Sequence, residues 1–100
     1  MQNKVDEFIK KYSLETSPEV RFIDLSSEIG ELGKELLKGN DYGQDKCQKT
    51  SDLEGEMGDA LFSLICLANT MDINLEKALD QVLAKYKKRF DANGKISSGK

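Results

Sequence analysis

Two pairs of acids carry the chemical potential of this sequence: Glu28 with Glu31, and Glu56 with Asp59. Within each pair the spacing is three residues, which on an α-helix puts both carboxylates on nearly the same face. Carboxylates that converge repel one another and resist burial, so something must neutralise them. Basic side chains would make a structural ion-pair network, protons would require raised pKa values, and divalent cations would make a metal centre. Oxygen-only ligands favour hard ions such as Mg²⁺, Mn²⁺ or Ca²⁺. The chain has no histidine, which argues against the Glu-x-x-His di-iron arrangement of helical bundles and removes the usual general base and most zinc sites. It shows neither a glycine-rich phosphate loop nor the ligand spacing of an EF-hand. A carboxylate–Mg²⁺ cluster beside a basic helix is an arrangement for phosphate chemistry, in which a metal-bound or carboxylate-held water serves as nucleophile.

The elements that must position these acids are two helices. The apolar stripe of the first is Leu25, Ile29, Leu32 and Leu36, and that of the second is Leu53, Met57, Ala60, Leu64, Leu67 and Met71. Both keep the rhythm of a core-facing helix. Every acid sits one residue before a member of its stripe, so packing the two seams together is expected to bring four carboxylates to the edge of the core. The first helix is expected to start at Ser17-Pro18, with Ser17 as cap, and to run to about Lys38, where Gly39 ends it. Its small residues Ser26, Gly30 and Gly33 lie on the far side of the seam from the acids and predict the close approach of another helix. The second is expected to open with a Ser51–Glu54 capping box and to reach about Met71. From Ala60 to Ala68 it is apolar nearly all round, which predicts the central, most buried helix, with Leu64 in its middle.

Two more amphipathic helices complete the expectation. One covers residues 2–12, with Val5, Phe8, Ile9 and Tyr12 on one face; the other follows an Asn74 cap, with Leu75, Leu79, Val82, Tyr86 and Phe90 on one face. The last carries a basic cluster, Lys85, Lys87, Lys88 and Arg89, which suits a helix C-terminus. The predicted fold is all-α and bundle-like, four helices forming a single domain over residues 1–91, with 92–100 as a loose tail. A domain of 100 residues buries a modest core and gains from association with another copy. A net charge of −3 makes no case for nucleic acid. The run from Ala60 to Ala68 is far too short to span a membrane. Cys47 and Cys66 are too few for a disulfide framework, and Met1 to Lys11 is too charged for a signal peptide, so a reducing, cytoplasmic setting is expected.

The order Glu28-x-x-Glu31, 24 residues, then Glu56-x-x-Asp59 resembles the ExxE…ExxD signature of the MazG-like, all-α nucleoside triphosphate pyrophosphohydrolases. The segments SEIGELGKEL (27–36) and GEMGDALFSLICLAN (55–69) are similar to the two motif helices. INLEKALDQVLAKYKKRF (73–90) is similar to the closing helix, with Lys85 and Arg89 in a K-[FY]-x-x-R-F pattern. The likeness covers about residues 18 to 90. It implies Mg²⁺-dependent cleavage of ribo- or deoxynucleoside triphosphates to monophosphate and pyrophosphate, in the service of nucleotide-pool house-cleaning, with Mn²⁺ as a substitute ion. It implies that Glu28, Glu31, Glu56 and Asp59 hold the metal and that Glu31 or Glu56 orients the attacking water. Lys85 and Arg89 would contact phosphate, Asn69 a base or phosphate, and Tyr42 would be a candidate for base stacking. Glu35, one turn beyond Glu31, would assist the site or pair with Lys34 or Lys38. The resemblance also implies a homodimer or homotetramer with sites between subunits. Two other readings stay open: a phosphoribosyl-ATP pyrophosphohydrolase or other specialised diphosphate hydrolase using the same acids, and a non-catalytic helical dimerisation or regulatory module whose acids form ion pairs.

Overall fold

Residues 1–44 and 46–97 are described by a computed structural model. The fold is all-α, with no strand among the described residues: α1 (Gln2–Lys11), α2 (Pro18–Gly39), α3 (Leu53–Thr70) and α4 (Leu75–Asn93). No helix is long and apolar enough to cross a membrane among the described residues.

The helix starts show which local signals decided the boundaries. Ser17 is the N-cap of α2, its hydroxyl oxygen accepting from the Val20 amide at 3.2 Å, with Pro18 in the first turn. Asn74 caps α4 in the same way, accepting from the Lys77 amide at 3.0 Å. The capping box expected at Ser51 and Glu54 is not formed. The N-cap of α3 is Asp52, in right-handed helical backbone geometry, and it makes no side-chain capping bond. At its far end α2 keeps Gly39 as its last residue, with Asn40 as C-cap. Gly39 is there for room: a Cβ at this position would collide with the carbonyl oxygen of Gln48. The closing helix runs to Asn93 and stops at Gly94, whose φ of 74° favours glycine. Residues 98–100 of the expected tail lie outside the described residues.

Packing differs from expectation by a rotation of α2. Its inner face holds Arg21, Leu25, Glu28, Leu32, Glu35 and Gly39, which are buried or half-buried and follow one another at steps of four and three. Ile29 and Leu36, expected in the core, are 53% and 39% exposed. Glu28 and Glu35 therefore stand in the α2–α3 seam itself, with half-buried Glu56 on α3, while Glu31 and Asp59 stay exposed at its edge. α3 is the central helix, contributing Ala60, Ser63, Ile65, Cys66 and Ala68 to the interior. Leu64, expected in its middle, is 40% exposed, on the side of α3 that also carries exposed Met57 and Leu61. A Cβ at Gly30 or Gly33 would likewise meet nothing within 4 Å, so among the described residues no other helix fills this part of the small-residue strip.

α1 lies across α3 through buried Ile9 and the Phe8 ring, 6.1 Å from Phe62 in an edge-to-face pair. Gln2 stitches three elements together. Its Nε2 donates to Asn69 Oδ1 at 3.0 Å and to the Ile73 carbonyl at 2.7 Å, and its Oε1 accepts from the first amide of α4, that of Leu75, at 2.7 Å. None of the residues of α4 is buried. The radius of gyration, 17.0 Å, exceeds the value of about 13 Å for a compact chain of this length. α4 is the reason: it leaves the body formed by α1, α2 and α3 as an arm.

Candidate metal centre

The seam between α2 and α3 is antiparallel: Glu35 meets Thr50, Glu28 meets Glu56 and Asp59, and Arg21 lies beside Cys66. Each level pairs a later residue of one helix with an earlier residue of the other. The sequence puts Glu28 on the inner face of α2 and Glu56 on that of α3, both half-buried, with Asp59 one turn on and exposed. One carboxylate oxygen from each of these three lies within 4.8 Å of the others. Three carboxylate oxygens drawn from two helices fit a hard divalent cation, which takes oxygen ligands and retains several waters.

Glu31 stands beside this trio without joining it. Its side chain is 52% exposed, with Lys34 Nζ at 3.8 Å. It is still close enough to act on Glu56, whose carboxyl is pushed above its ordinary pKa. The causes are partial removal from water, then the negative charges of Asp59, Glu31, Glu28 and Glu35. All four acids singled out from the sequence thus act on one neighbourhood. Glu54 and Glu56 also lie in the first turn of α3, where the free amides of the helix end favour negative charge.

Glu35, expected to assist the site or to pair with a lysine, is buried in the seam. It is 6% exposed, accepts a hydrogen bond from the Thr50 hydroxyl, and has Lys38 Nζ 3.6 Å from its other oxygen. Of the partners expected for it, Lys38 is the one the fold supplies. Arg21, not among the residues expected at the site, is also buried: its Nη2 donates to the Leu14 carbonyl at 2.6 Å and ties the α1–α2 connection to the seam. Both are charged residues at helical spacing from Glu28 (seven residues either side), and that period is the signal that could have found them.

The remaining candidates lie elsewhere in the chain. Asn69 is ten residues beyond Asp59 on α3, about 15 Å along the axis, and its side chain is engaged by Gln2, accepting at Oδ1 and donating from Nδ2 to the Gln2 carbonyl at 3.2 Å. Lys85 and Arg89 are on α4, flanking the Tyr86 ring with Lys85 Nζ 5.2 Å and Arg89 Cζ 5.9 Å from its centroid. Tyr42 is 67% exposed in the connection between α2 and α3, at φ 54°.

A sequence model of the MazG nucleotide pyrophosphohydrolase domain matches residues 17–92, a span that contains both acid pairs and the basic end of α4. YpjD of Bacillus subtilis (strain 168), an uncharacterized protein, is 39% identical over 93 residues, covering 89% of this chain and 82% of that one. The crystal structure of YpjD aligns with a TM-score of 0.73 at 40% identity, over 88% of this chain and 90% of that one. The crystal structure of the Bacillus-conserved MazG protein, a nucleotide pyrophosphohydrolase, also aligns at 0.73, with 36% identity over 86% of this chain and 84% of that one. The chain is therefore a hydrolase and belongs to the MazG nucleotide pyrophosphohydrolase family.

Proposed function

We propose that this protein is a divalent-metal-dependent enzyme that cleaves nucleoside or deoxynucleoside triphosphates to the monophosphate and pyrophosphate, and that Mg²⁺ is its ion, with Mn²⁺ able to replace it. The observation that carries this reading is the trio of carboxylate oxygens from Glu28, Glu56 and Asp59 within 4.8 Å of one another in the α2–α3 seam. In this reading these three hold the metal, which when bound supplies positive charge against the phosphate chain and a more acidic water. Glu31, exposed beside them, and Glu56 orient the attacking water. The water oxygen bonds to phosphorus as the bridging P–O bond breaks. Pyrophosphate and the nucleoside monophosphate separate, and the proton passes by way of a carboxylate to solvent.

The phosphate chain needs cations as well as metal. We assign that part to Lys85 and Arg89 of a second copy, because α4 is an arm with no buried residue. The same second copy accounts for Ile29 and Leu36 on α2 and for Met57, Leu61 and Leu64 on α3, which are 39–53% exposed. The protein is accordingly read as a homodimer or a homotetramer. A role in clearing surplus or non-standard nucleotides from the cytoplasm follows from the same reading, and Asn69 and Tyr42 are its candidates for contact with the base.

The test is a product assay on the purified protein. A panel of ribo- and deoxynucleoside triphosphates is incubated with Mg²⁺ or with a chelator, and the products are separated. Monophosphate and pyrophosphate should form with metal and not with chelator. Diphosphate with inorganic phosphate would overturn the assigned cleavage. Failure of Mg²⁺ and Mn²⁺ to raise the melting temperature would overturn the metal centre, since a ligand that binds the folded state stabilises it.

A further inference from the structure

The start of α3 is held by something other than a cap. Its N-cap residue Asp52 makes no side-chain bond, yet the first two turns of this helix carry Glu56 and Asp59. The charge around Glu56 works against a fixed start, because Glu28, Glu31 and Glu35 on α2 all repel it. Residues 46–50, which lead into α3, are pinned to the end of α2, where the Cys47 thiol reaches the Leu36 carbonyl at 3.7 Å and two stronger bonds follow. The Gln48 amide donates to the Gly39 carbonyl at 2.8 Å, and the Thr50 hydroxyl donates to the buried carboxylate of Glu35. From Thr50 the chain turns directly into the helix, with the Leu53 amide 3.4 Å from the Thr50 carbonyl. Lys38, 3.6 Å from the second oxygen of Glu35, offsets the charge that this arrangement buries.

We infer that Glu35 and Thr50 are positioning residues: their hydrogen bond anchors the connection before α3 to α2 and sets the height at which Glu56 and Asp59 meet Glu28. The inference rests on the reading of the acid trio as a metal centre. It gives Glu35 a task distinct from ligation. Glu35 lies seven residues beyond Glu28 on the same face of α2, about 10 Å along the axis, and its two oxygens are engaged by Thr50 and Lys38. Helix α3 enters its partner seam at that point, so a loosened anchor lets its first turns shift, and the carboxylate trio loosens with them.

The experiment is a Mn²⁺ titration of the full chain without nucleotide, followed by the electron paramagnetic resonance signal of free Mn²⁺, with helicity checked by circular dichroism. Thr50→Val should weaken Mn²⁺ binding by about tenfold or more, the scale on which supporting residues around metal ligands act. Thr50→Ser, which keeps the hydroxyl, should restore most of the binding lost in Thr50→Val. Glu35→Gln, whose amide oxygen still accepts from Thr50, should fall between Thr50→Val and the natural protein. If Thr50→Val does not fold, Thr50→Ala carries the same comparison with Thr50→Ser. Unchanged Mn²⁺ affinity in a folded Thr50→Val protein overturns the inference. So does complete loss of binding in Glu35→Gln beside normal binding in Thr50→Val, which would make Glu35 a ligand. Absence of Mn²⁺ binding by the natural protein would overturn the metal centre itself, a different failure.

Discussion

Glu56 sits partly out of water and faces Asp59, Glu31, Glu28 and Glu35, and each of these influences raises its pKa above the ordinary 4.5. For an acid whose pKa is higher in the folded state, ionisation costs more folded than unfolded. Stability is then lost as pH rises from about 4.5 through the folded pKa, and below that range both states carry the proton and nothing is lost. Glu56→Gln should therefore raise the melting temperature of the metal-free protein near pH 8 and leave it unchanged near pH 4, while abolishing hydrolysis. Calorimetry at the two pH values checks this, and a lower melting temperature at pH 8 would mean that the carboxylate is held by a partner rather than repelled. Metal takes the ionised form, so the stabilisation given by Mn²⁺ should shrink as pH falls from about 8 to about 5. The sequence made the pairs Glu28/Glu31 and Glu56/Asp59 legible because i, i+3 spacing is a property of any helix. It could not separate Glu31 from the trio, since that depends on which of two neighbouring faces α2 turns inward.

That rotation is the matter to settle at the scale of the element. Ile29 and Leu36 are apolar and periodic, so a pattern that ranks residues by hydrophobicity places them in the core. The fold instead spends the inner face of α2 on Arg21, Glu28 and Glu35 among Leu25 and Leu32, and leaves Ile29 and Leu36 outward. Boundaries set by local chemistry, such as Ser17, Pro18 and Asn74, were readable because their partners lie three residues away. The uncapped start of α3 and the reach of Gln2 to Asn69, Ile73 and Leu75 were not, because they depend on contacts between distant parts of the chain. The burial pattern of α3 makes a sharp comparison. Ile65 is 3% exposed and Leu64 40%, so Ile65→Ala should cost about 2–5 kcal/mol, and Leu64→Ala clearly less in a dissociated chain. Urea unfolding measures both; equal losses would mean that the outer side of α3 is covered in the species measured.

At the scale of the whole molecule, a body of three helices and an arm is an incomplete solution to burial. A radius of gyration of 17.0 Å and extents of 47 × 38 × 21 Å describe a chain that leaves its outer apolar side and α4 uncovered. Charge placed on that side should act on association rather than on the seam. Leu36→Glu, at a residue already 39% exposed, should convert the protein to a species of one-chain mass by analytical ultracentrifugation. It should keep the helical content intact, while retention of a higher-mass species would place the interface elsewhere. In the proposed two-copy arrangement hydrolysis should fall with it, because the basic residues assigned there to the phosphate chain come from the other copy.

The direction of α4 is set by the turn after α3, where Asp72 has φ 53°, and by Gln2, rather than by a bed of side chains. In the two-copy arrangement proposed above, an arm of this kind makes the working site common property of two chains. A population mixing chains damaged in the acids with chains damaged at Arg89 can then assemble sites in which each supplies what the other lacks. Genetically, such lesions, though alleles of one gene, would complement each other, and a cell carrying both would outperform a cell carrying either one.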